Sequence, residues 1–184
     1  PGTVGGAIAG NAGAFGKQIG DYLISAEVVD LNGNIKLLKH ADFNFKYRYS
    51  LLKETGDVLI RANFKLEKMN TEEMIIKRNE IIALRNGKHP DWKIEPCAGS
   101  IFRNIEPTSS AERRQASGWF LEQAGVKSFT EGGAYVFEHH ANIIIAGKNA
   151  SAQDVFRLSE RMREAVRNKF NIDLIREIKL IGSF

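Results

Sequence analysis

The glycine-rich opening of the chain is the first feature with chemical potential. Six glycines fall within the first sixteen residues, and the run matches neither G-x-x-x-x-G-K-[ST] nor G-x-G-x-x-G. Glycine permits sharp turns, so consecutive N–H groups can form an anion-binding concavity. A flexible terminus is the alternative, but Val4, Ile8 and Phe15 are apolar and require burial. We therefore predict a structured, phosphate-facing loop.

Two further segments carry polar side chains in unusual local frames. Arg48 lies between two tyrosines, where a guanidinium can stack or pair with a carboxylate or phosphate. An ordinary surface arginine on a strand is the simpler interpretation of that segment. Ser100 follows Gly99 on a predicted tight turn. The G-x-S-x-G frame of a hydrolase is absent, so Ser100 is a candidate proton donor or a capping residue.

Histidine, cysteine and glutamate add little evidence by themselves. His139 and His140 are adjacent, so on a strand they would face opposite sides and could not chelate one metal. No other pair has ligand spacing, and we predict no metal site, although one of the two histidines is a candidate ligand contact. The single cysteine, Cys97, is predicted to be a small buried hydrophobe. Glu177 is interpreted as part of a solvated strand face.

The elements that must position these residues follow from periodicity and turn signals. Asn32-Gly33 predicts a hairpin, and capping signals at Asn70 and Ser151 predict helix starts. Predicted strands cover residues 22–31, 35–38, 57–66, 132–136, 142–146 and 178–181, and predicted helices cover residues 70–86, 110–123 and 152–170. Prolines at 90 and 96 indicate a boundary, so we expect domains at 1–90 and 91–184 in an α+β fold.

Composition excludes few classes of protein. The 184 residues are 43% hydrophobic and 26% charged, with a net charge of +4 and no basic stripe, so nucleic-acid binding is weakly supported. No apolar run is long enough to span a bilayer, and no charged-then-apolar leader is present. A single cysteine fits a reducing compartment. We expect a cytoplasmic protein with no nucleic-acid or membrane partner.

Taken together, the motifs resemble those of the UDP-N-acetylenolpyruvoylglucosamine reductase family. These flavoenzymes make the muramic acid precursor of the bacterial cell wall. The resemblance rests on motifs that fall in the family's order and cover nearly the whole chain: residues 1–7, 11–16, 47–50, 99–104, 118–125, 132–134, 140–142 and 177–182. It implies the second lobe of a two-lobed FAD-binding domain, followed by a smaller α+β substrate-binding domain.

The resemblance also implies a reaction. NADPH reduces FAD, and flavin N5 then delivers hydride to C3 of the enolpyruvyl ether of UDP-N-acetylglucosamine, so the chain would belong to an oxidoreductase acting on a CH–CH group. Ser100 would donate the proton to C2, Arg48 would stabilise the developing negative charge, and Glu177 would lie on the other side of the intermediate. A small-molecule substrate and a monomer are expected.

Binding residues are implied in the same way. The FAD pyrophosphate would be held by the opening residues Gly2, Thr3, Val4, Gly5, Gly6, Asn11, Ala12 and Gly13. The substrate would be contacted by Lys68, Asn104 and His140.

The sequence departs from the family pattern at several positions. Gly10 replaces Met, Phe15 replaces Tyr and Ile105 replaces Pro. Arg176 replaces the Pro that usually precedes Glu177, which adds a cation beside the proposed acid. The short segment 50–58 indicates the subgroup without the tyrosine-bearing insertion. The family's first FAD-binding lobe would precede Pro1, so we expect this chain alone to bind FAD poorly.

Two other functions stay open at this stage. One is a related FAD-dependent oxidoreductase with another substrate, for which the trio Arg48, Ser100 and Glu177 would have no purpose. The other is a noncatalytic UDP-sugar-binding fragment, in which Ser100 could be replaced without consequence.

Overall fold

The computed structural model describes residues 2–107 and 114–183. They form two compact units, Pro1–Asn70 and Thr71–Phe184. Each unit mixes helices with antiparallel strands, which confirms the predicted α+β class. The domain boundary after residue 90, which the prolines indicated, stays a prediction. In the described part of the chain, no helix has the length and apolar character needed to cross a bilayer.

The first unit is built on a three-stranded sheet of order β4-β3-β5. Its elements are α1 (Val4–Ala9), β1 (Gly13–Ala14), β2 (Lys17–Gln18), β3 (Leu23–Val29), β4 (Ile35–Lys39), α2 (Leu52–Thr55) and β5 (Val58–Phe64). The predicted hairpin between β3 and β4 is confirmed, with Val29 opposite Ile35. The core comprises Ile8, Leu23, Ala26, Val28, Phe43 and Leu52.

The glycine-rich opening folds differently from the prediction. It forms the short helix α1 instead of a loop, and the Oγ1 of Thr3 accepts the Gly6 N–H at 3.0 Å as its N-cap. A threonine cap satisfies one of the N–H groups that every helix start leaves unpaired, which explains why a helix forms here. Ile8 is buried as expected, but Val4 and Phe15 are 56% and 59% exposed.

The second unit is built on a four-stranded antiparallel sheet of order β6-β9-β8-β7. Its elements are α3 (Thr71–Asn86), β6 (Cys97–Ser100), α4 (Ser117–Gln123), β7 (Thr130–Glu131), β8 (Ala134–Val136), β9 (Ile143–Ala146) and α5 (Ala152–Phe170). Helix α5 begins with the predicted capping box between Ser151 and Asp154. Its stripe of Leu158, Met162 and Val166 is buried, as the spacing predicted.

Two predicted elements of the second unit are wrong in part. The helix expected from residue 110 begins at Ser117, because Gln115 is extended and pairs with Ile105; residues 108–113 lie outside the described residues. The strand expected over residues 178–181 is absent, and only Arg176 forms a bridge, with Phe102. Helix α3 is confirmed, but none of its residues is buried within the described structure.

A buried asparagine joins three segments of the second unit. Asn142 is 2% exposed, and its Oδ1 accepts the Phe102 N–H at 2.9 Å. Its Nδ2 donates to the Phe102 carbonyl at 2.8 Å and to Ser117 Oγ at 2.9 Å. The amide therefore holds the residues after β6, the start of β9 and the first residue of α4 together. Buried polar groups of this kind are costly only when a partner is removed.

Replacing Asn142 by Ala should destabilise the second unit by about 2 kcal/mol, because the Phe102 N–H would be left buried without a partner and its carbonyl would keep only the Ser117 hydroxyl at 3.4 Å. Both tryptophans, Trp92 and Trp119, belong to this unit, so tryptophan fluorescence during chemical denaturation follows its unfolding. The matched control is Asn168→Ala on the exposed side of α5, which should change stability little. Equal effects of the two substitutions would contradict the role given to Asn142.

Candidate functional site

A β-bulge positions Ser100 at the end of β6. Cys97 pairs with Ile145 and Ser100 pairs with Ile143, so two residues of β6 oppose one residue of β9. Gly99, inside the bulge, has φ +73 and open space where a Cβ would stand. Bulges bend a strand and re-aim the side chain that follows, and they recur beside active sites. The half-buried Ser100 hydroxyl is therefore held by backbone geometry that needs the glycine before it.

Glu177 lies beside the same segment in the second unit. Its N–H donates to the Ile101 carbonyl at 2.8 Å, and the Arg103 N–H donates to the Ile175 carbonyl at 2.8 Å. These two hydrogen bonds flank the bridge between Phe102 and Arg176. The backbone of Glu177 is thus paired with the residue that follows Ser100. The structure brings these two predicted catalytic residues to neighbouring backbone positions, although they are 77 positions apart in the sequence.

Two predicted substrate residues surround the start of α4. Asn104 Oδ1 accepts the Ser117 N–H at 3.3 Å, so its side chain caps the helix from a distance. The Asn142 N–H donates to Nδ1 of His140 at 3.2 Å, which leaves the proton of the neutral imidazole on Nε2. A Cβ at Gly118 would lie 3.4 Å from Cε1 of His140, so the glycine makes room for the ring.

The Glu138–His140 run lies in a turn between β8 and β9. The His140 N–H donates to the Phe137 carbonyl at 3.2 Å, and the His140 carbonyl accepts the Ile143 N–H at 3.0 Å. The argument that adjacent histidines face opposite sides of a strand therefore does not apply. Among residues 2–107 and 114–183, no three His, Cys, Asp or Glu side chains are grouped as a metal site would require.

His140 has a partner that the sequence did not indicate. The His89 and His140 rings stack with centroids 5.7 Å apart and an interplanar angle of 26°. Burial lowers the pKa of both imidazoles, and the nearby Arg85, His140 and Lys88 lower the pKa of His89 further. Both rings are thus held in the neutral form, in which a single N–H and one acceptor nitrogen are available to each ring.

Arg48 occupies a strained turn in the first unit. Lys46 and Tyr49 exchange backbone hydrogen bonds at 3.1 Å, and Arg48 between them has φ +55. Left-handed backbone is unfavourable for residues other than glycine, and it concentrates at functional positions. The Nη1 of Arg48 donates to the Gly13 carbonyl at 3.3 Å, and the guanidinium lies 5.3 Å from the Tyr47 ring centroid. The segment interpreted as a surface strand is therefore a turn, and its arginine side chain is held by these two contacts.

The start of α1 is suited to an anion. The exposed residues Gly2, Thr3 and Val4 precede or open the helix, and its first turn carries no acidic side chain. First-turn N–H groups and the helix dipole both favour negative charge there. The exposed start of α1 is therefore compatible with a phosphate group, and FAD contact by residues 2–6 stays a prediction.

Asn11 has a structural function that the sequence did not reveal. It is 1% exposed with φ +42, and its Nδ2 donates to Gln18 Oε1 at 2.8 Å and to the Lys46 carbonyl at 3.0 Å. Its Oδ1 accepts the Gly20 N–H at 3.1 Å. These bonds engage both ends of the amide within the unit. Cofactor contacts by Asn11, Ala12 and Gly13 stay predictions, as does substrate contact by the exposed Lys68.

The left-handed backbone of Arg48 should affect the stability of the first unit. Arg48→Gly and Arg48→Ala both remove the side chain, but only glycine adopts φ +55 without a steric penalty. The glycine variant should be the more stable by about 1 kcal/mol in chemical denaturation. The control pair is Tyr47→Gly and Tyr47→Ala in the same turn, where φ is not positive and alanine should be the more stable. The same order at both positions would contradict the strain.

The lowered pKa values of the stacked histidines should make the stability of the second unit depend on pH. Their folded-state pKa values lie below the ordinary 6.5, so the unfolded chain binds more protons in that window and stability falls as pH drops below 6.5. Replacing both His89 and His140 by Gln should remove most of this fall, measured by tryptophan fluorescence. The exposed His139→Gln is the control and should retain it. An unchanged slope in the double variant would refute the assignment.

The chain is similar in sequence to known reductases. Residues 89–181 match the family model described as UDP-N-acetylenolpyruvoylglucosamine reductase, C-terminal domain. The chain is 40% identical over 183 residues to the UDP-N-acetylenolpyruvoylglucosamine reductase of Caldanaerobacter subterraneus subsp. tengcongensis, covering 99% of this chain and 57% of the relative. The reductase of the same name from Bacillus subtilis is 35% identical over 183 residues, with 99% and 57% covered.

A solved structure is similar as well. The crystal structure of UDP-N-acetylenolpyruvylglucosamine reductase from Thermus caldophilus superimposes with a TM-score of 0.77 at 27% identity, covering 96% of this chain and 59% of that one. The chain thus spans less than two thirds of the relatives it matches. The family match covers the bulge, both histidines and the Glu177 segment, and the chain belongs to the UDP-N-acetylenolpyruvoylglucosamine reductase family.

Proposed function

We propose that this chain is part of a cytoplasmic bacterial enzyme that reduces the enolpyruvyl ether of UDP-N-acetylglucosamine to UDP-N-acetylmuramate during peptidoglycan precursor synthesis. The observation that carries the proposal is the pairing of the Ser100 segment with the Glu177 segment in the second unit. A serine and a glutamate on paired backbone segments are residue types that suit proton transfer to a carbon next to a carboxylate. The family match over residues 89–181 supports the same chemistry.

Ser100 supplies the proton in this proposal. Its hydroxyl donates a proton to C2 of the enolpyruvyl group. The bulge at Gly99 limits the directions in which this hydroxyl can point. A general acid must be held within hydrogen-bond reach of the atom that it protonates. The backbone around the serine holds the hydroxyl in place. After Ser100, the Ile101 N–H donates to the Asn142 carbonyl at 2.9 Å.

Glu177 and Arg48 act on the charge that develops during the reaction. Arg48 stabilises negative charge on the substrate as a fixed cation, because a guanidinium stays protonated and binds carboxylates with two donors. Its bond to the Gly13 carbonyl and its contact with Tyr47 restrict its position before substrate arrives. Glu177 stabilises the intermediate by hydrogen bonding.

FAD, when bound and reduced by NADPH, supplies the hydride for the enolpyruvyl carbon. The residues that would hold its pyrophosphate are Gly2, Thr3, Val4, Gly5 and Gly6, whose backbone forms the exposed start of α1. Lys68, Asn104 and His140 would bind the UDP-sugar. His140 presents its Nε2–H to the substrate, because its Nδ1 already accepts the Asn142 N–H.

The experiment is NADPH oxidation by the complete protein that contains this chain, with and without UDP-N-acetylglucosamine enolpyruvate. Ser100→Ala should lower substrate-dependent turnover by about a hundredfold or more, the usual contribution of a general acid. NADPH should still bleach the flavin of the variant. The exposed Ser128→Ala is the matched control and should retain full turnover.

The outcomes separate the alternatives. If the wild-type protein reduces its flavin but ignores this substrate, the chain belongs to a flavin oxidoreductase with another acceptor. If the Ser100→Ala protein turns over normally, the serine is not the proton donor. A protein that binds the UDP-sugar by calorimetry without reducing it would be a noncatalytic binding module.

A further inference from the structure

The segment that carries Glu177 has little regular structure of its own. After α5 ends, residues 171–183 contain no helix or strand in the described structure, only the bridge between Phe102 and Arg176. Two backbone hydrogen bonds flank this bridge. Leu174, which is 3% exposed, lies in the core of the second unit, and Ile178 packs against that core. Between these two apolar contacts, the side chain of Arg176 provides a further attachment beside the two backbone hydrogen bonds.

Arg176 fastens this segment to helix α5. Its guanidinium forms an ion pair with Glu160 and donates to Ser159 Oγ from Nε at 3.3 Å and from Nη2 at 3.1 Å. It also lies 5.2 Å from the centroid of the Phe156 ring. The Arg176 side chain is only 17% exposed, so solvent weakens the ion pair less than it weakens a surface pair. Three residues on one face of α5 therefore hold one guanidinium.

This contact shows which group the charge of Arg176 interacts with. The sequence suggested that Arg176 would act on Glu177 as a neighbouring charge. The structure instead pairs the charge of Arg176 with Glu160. Because Glu177 is the next residue in the chain, fixing the Arg176 side chain on α5 limits where the backbone of Glu177 can lie.

On the basis of the proposed function, we propose that Arg176 is a positioning residue for the proposed acid Glu177. Its anchor on α5 holds the backbone of Glu177 against Ile101, next to Ser100. The residue touches neither substrate nor cofactor in this assignment. It acts by keeping the short pairing closed while the carboxyl group meets the substrate.

The backbone geometry provides a rescue variant. The pairing uses the Ile175 carbonyl and the Glu177 N–H, and the N–H of Arg176 takes no part in it. Proline fits an edge position whose N–H is not needed, and its ring stiffens the chain. Arg176→Pro should therefore replace a side-chain anchor by backbone rigidity, whereas Arg176→Ala removes the anchor without a substitute.

The test combines hydrogen exchange with kinetics on the complete protein. In Arg176→Ala the Glu177 amide should exchange about tenfold faster or more, as expected when a charge-assisted contact is lost. Substrate-dependent kcat should fall by about tenfold to a hundredfold with little change in KM, because misplacement of a catalytic group slows chemistry. Flavin reduction by NADPH should be unchanged. Arg176→Pro should restore slow exchange and most of kcat.

Two further variants keep the test decisive. Glu160→Gln removes the charge partner from the helix and should shift exchange in the same direction if Arg176→Ala fails to fold. Arg167→Ala is the control, because it breaks the exposed pair with Asp173 at the start of the same segment and should leave Glu177 unaffected.

Unchanged exchange at Glu177 in both Arg176→Ala and Glu160→Gln would overturn the proposal, as would faster exchange with unaltered kcat. The exchange measurement needs no substrate. If wild-type protein fails to turn over UDP-N-acetylglucosamine enolpyruvate, the proposed function fails, and exchange still decides whether Arg176 holds Glu177.

Discussion

The second unit depends on one buried side-chain amide, that of Asn142. Its two ends satisfy both backbone groups of Phe102 and the hydroxyl of Ser117, which are otherwise remote in sequence. An amide can do this because it combines two donors with an acceptor in one plane. The bulge at Ser100 precedes Phe102, the bridge to the Glu177 segment includes it, and His140 is bonded to the Asn142 backbone. Every candidate residue of this unit is therefore located relative to one amide.

The first unit also contains a buried asparagine amide that joins several segments. Asn11 is the other almost fully buried asparagine of the described residues, and its amide joins the residues after α1 to Gln18, Gly20 and the turn that carries Arg48. Ser50, buried after that turn, donates to the Ala9 carbonyl at 3.0 Å. In a small core, hydrogen bonds made by a buried polar side chain fix loop positions that apolar packing alone would leave loose. Each unit thus ties its candidate residues to its core through an asparagine.

The candidate residues themselves lie where regular structure is interrupted. Ser100 follows a bulge, Arg48 occupies left-handed backbone, His140 lies in a turn and Glu177 belongs to a two-bond pairing. Such positions cost free energy, and they persist because neighbouring contacts over-determine them. The stacked His89 and the anchored Arg176 are contacts of this kind. The surrounding helices and strands are regular, and the candidate residues lie at the irregular positions between them.

Local patterns in the sequence determined most of the elements. The Asn-Gly hairpin, the Ser151 capping box and the stripe on α5 depend on residues close in the chain, and all three were predictable. The family motifs likewise identified the candidate residues. The local hydrogen bond between Thr3 and Gly6 that caps α1 was missed because the segment is rich in glycine. Tertiary structure alone decided that residues 178–181 form no strand and that His89 stacks on His140. These features depend on contacts between residues far apart in sequence, and periodicity carries no information about such contacts.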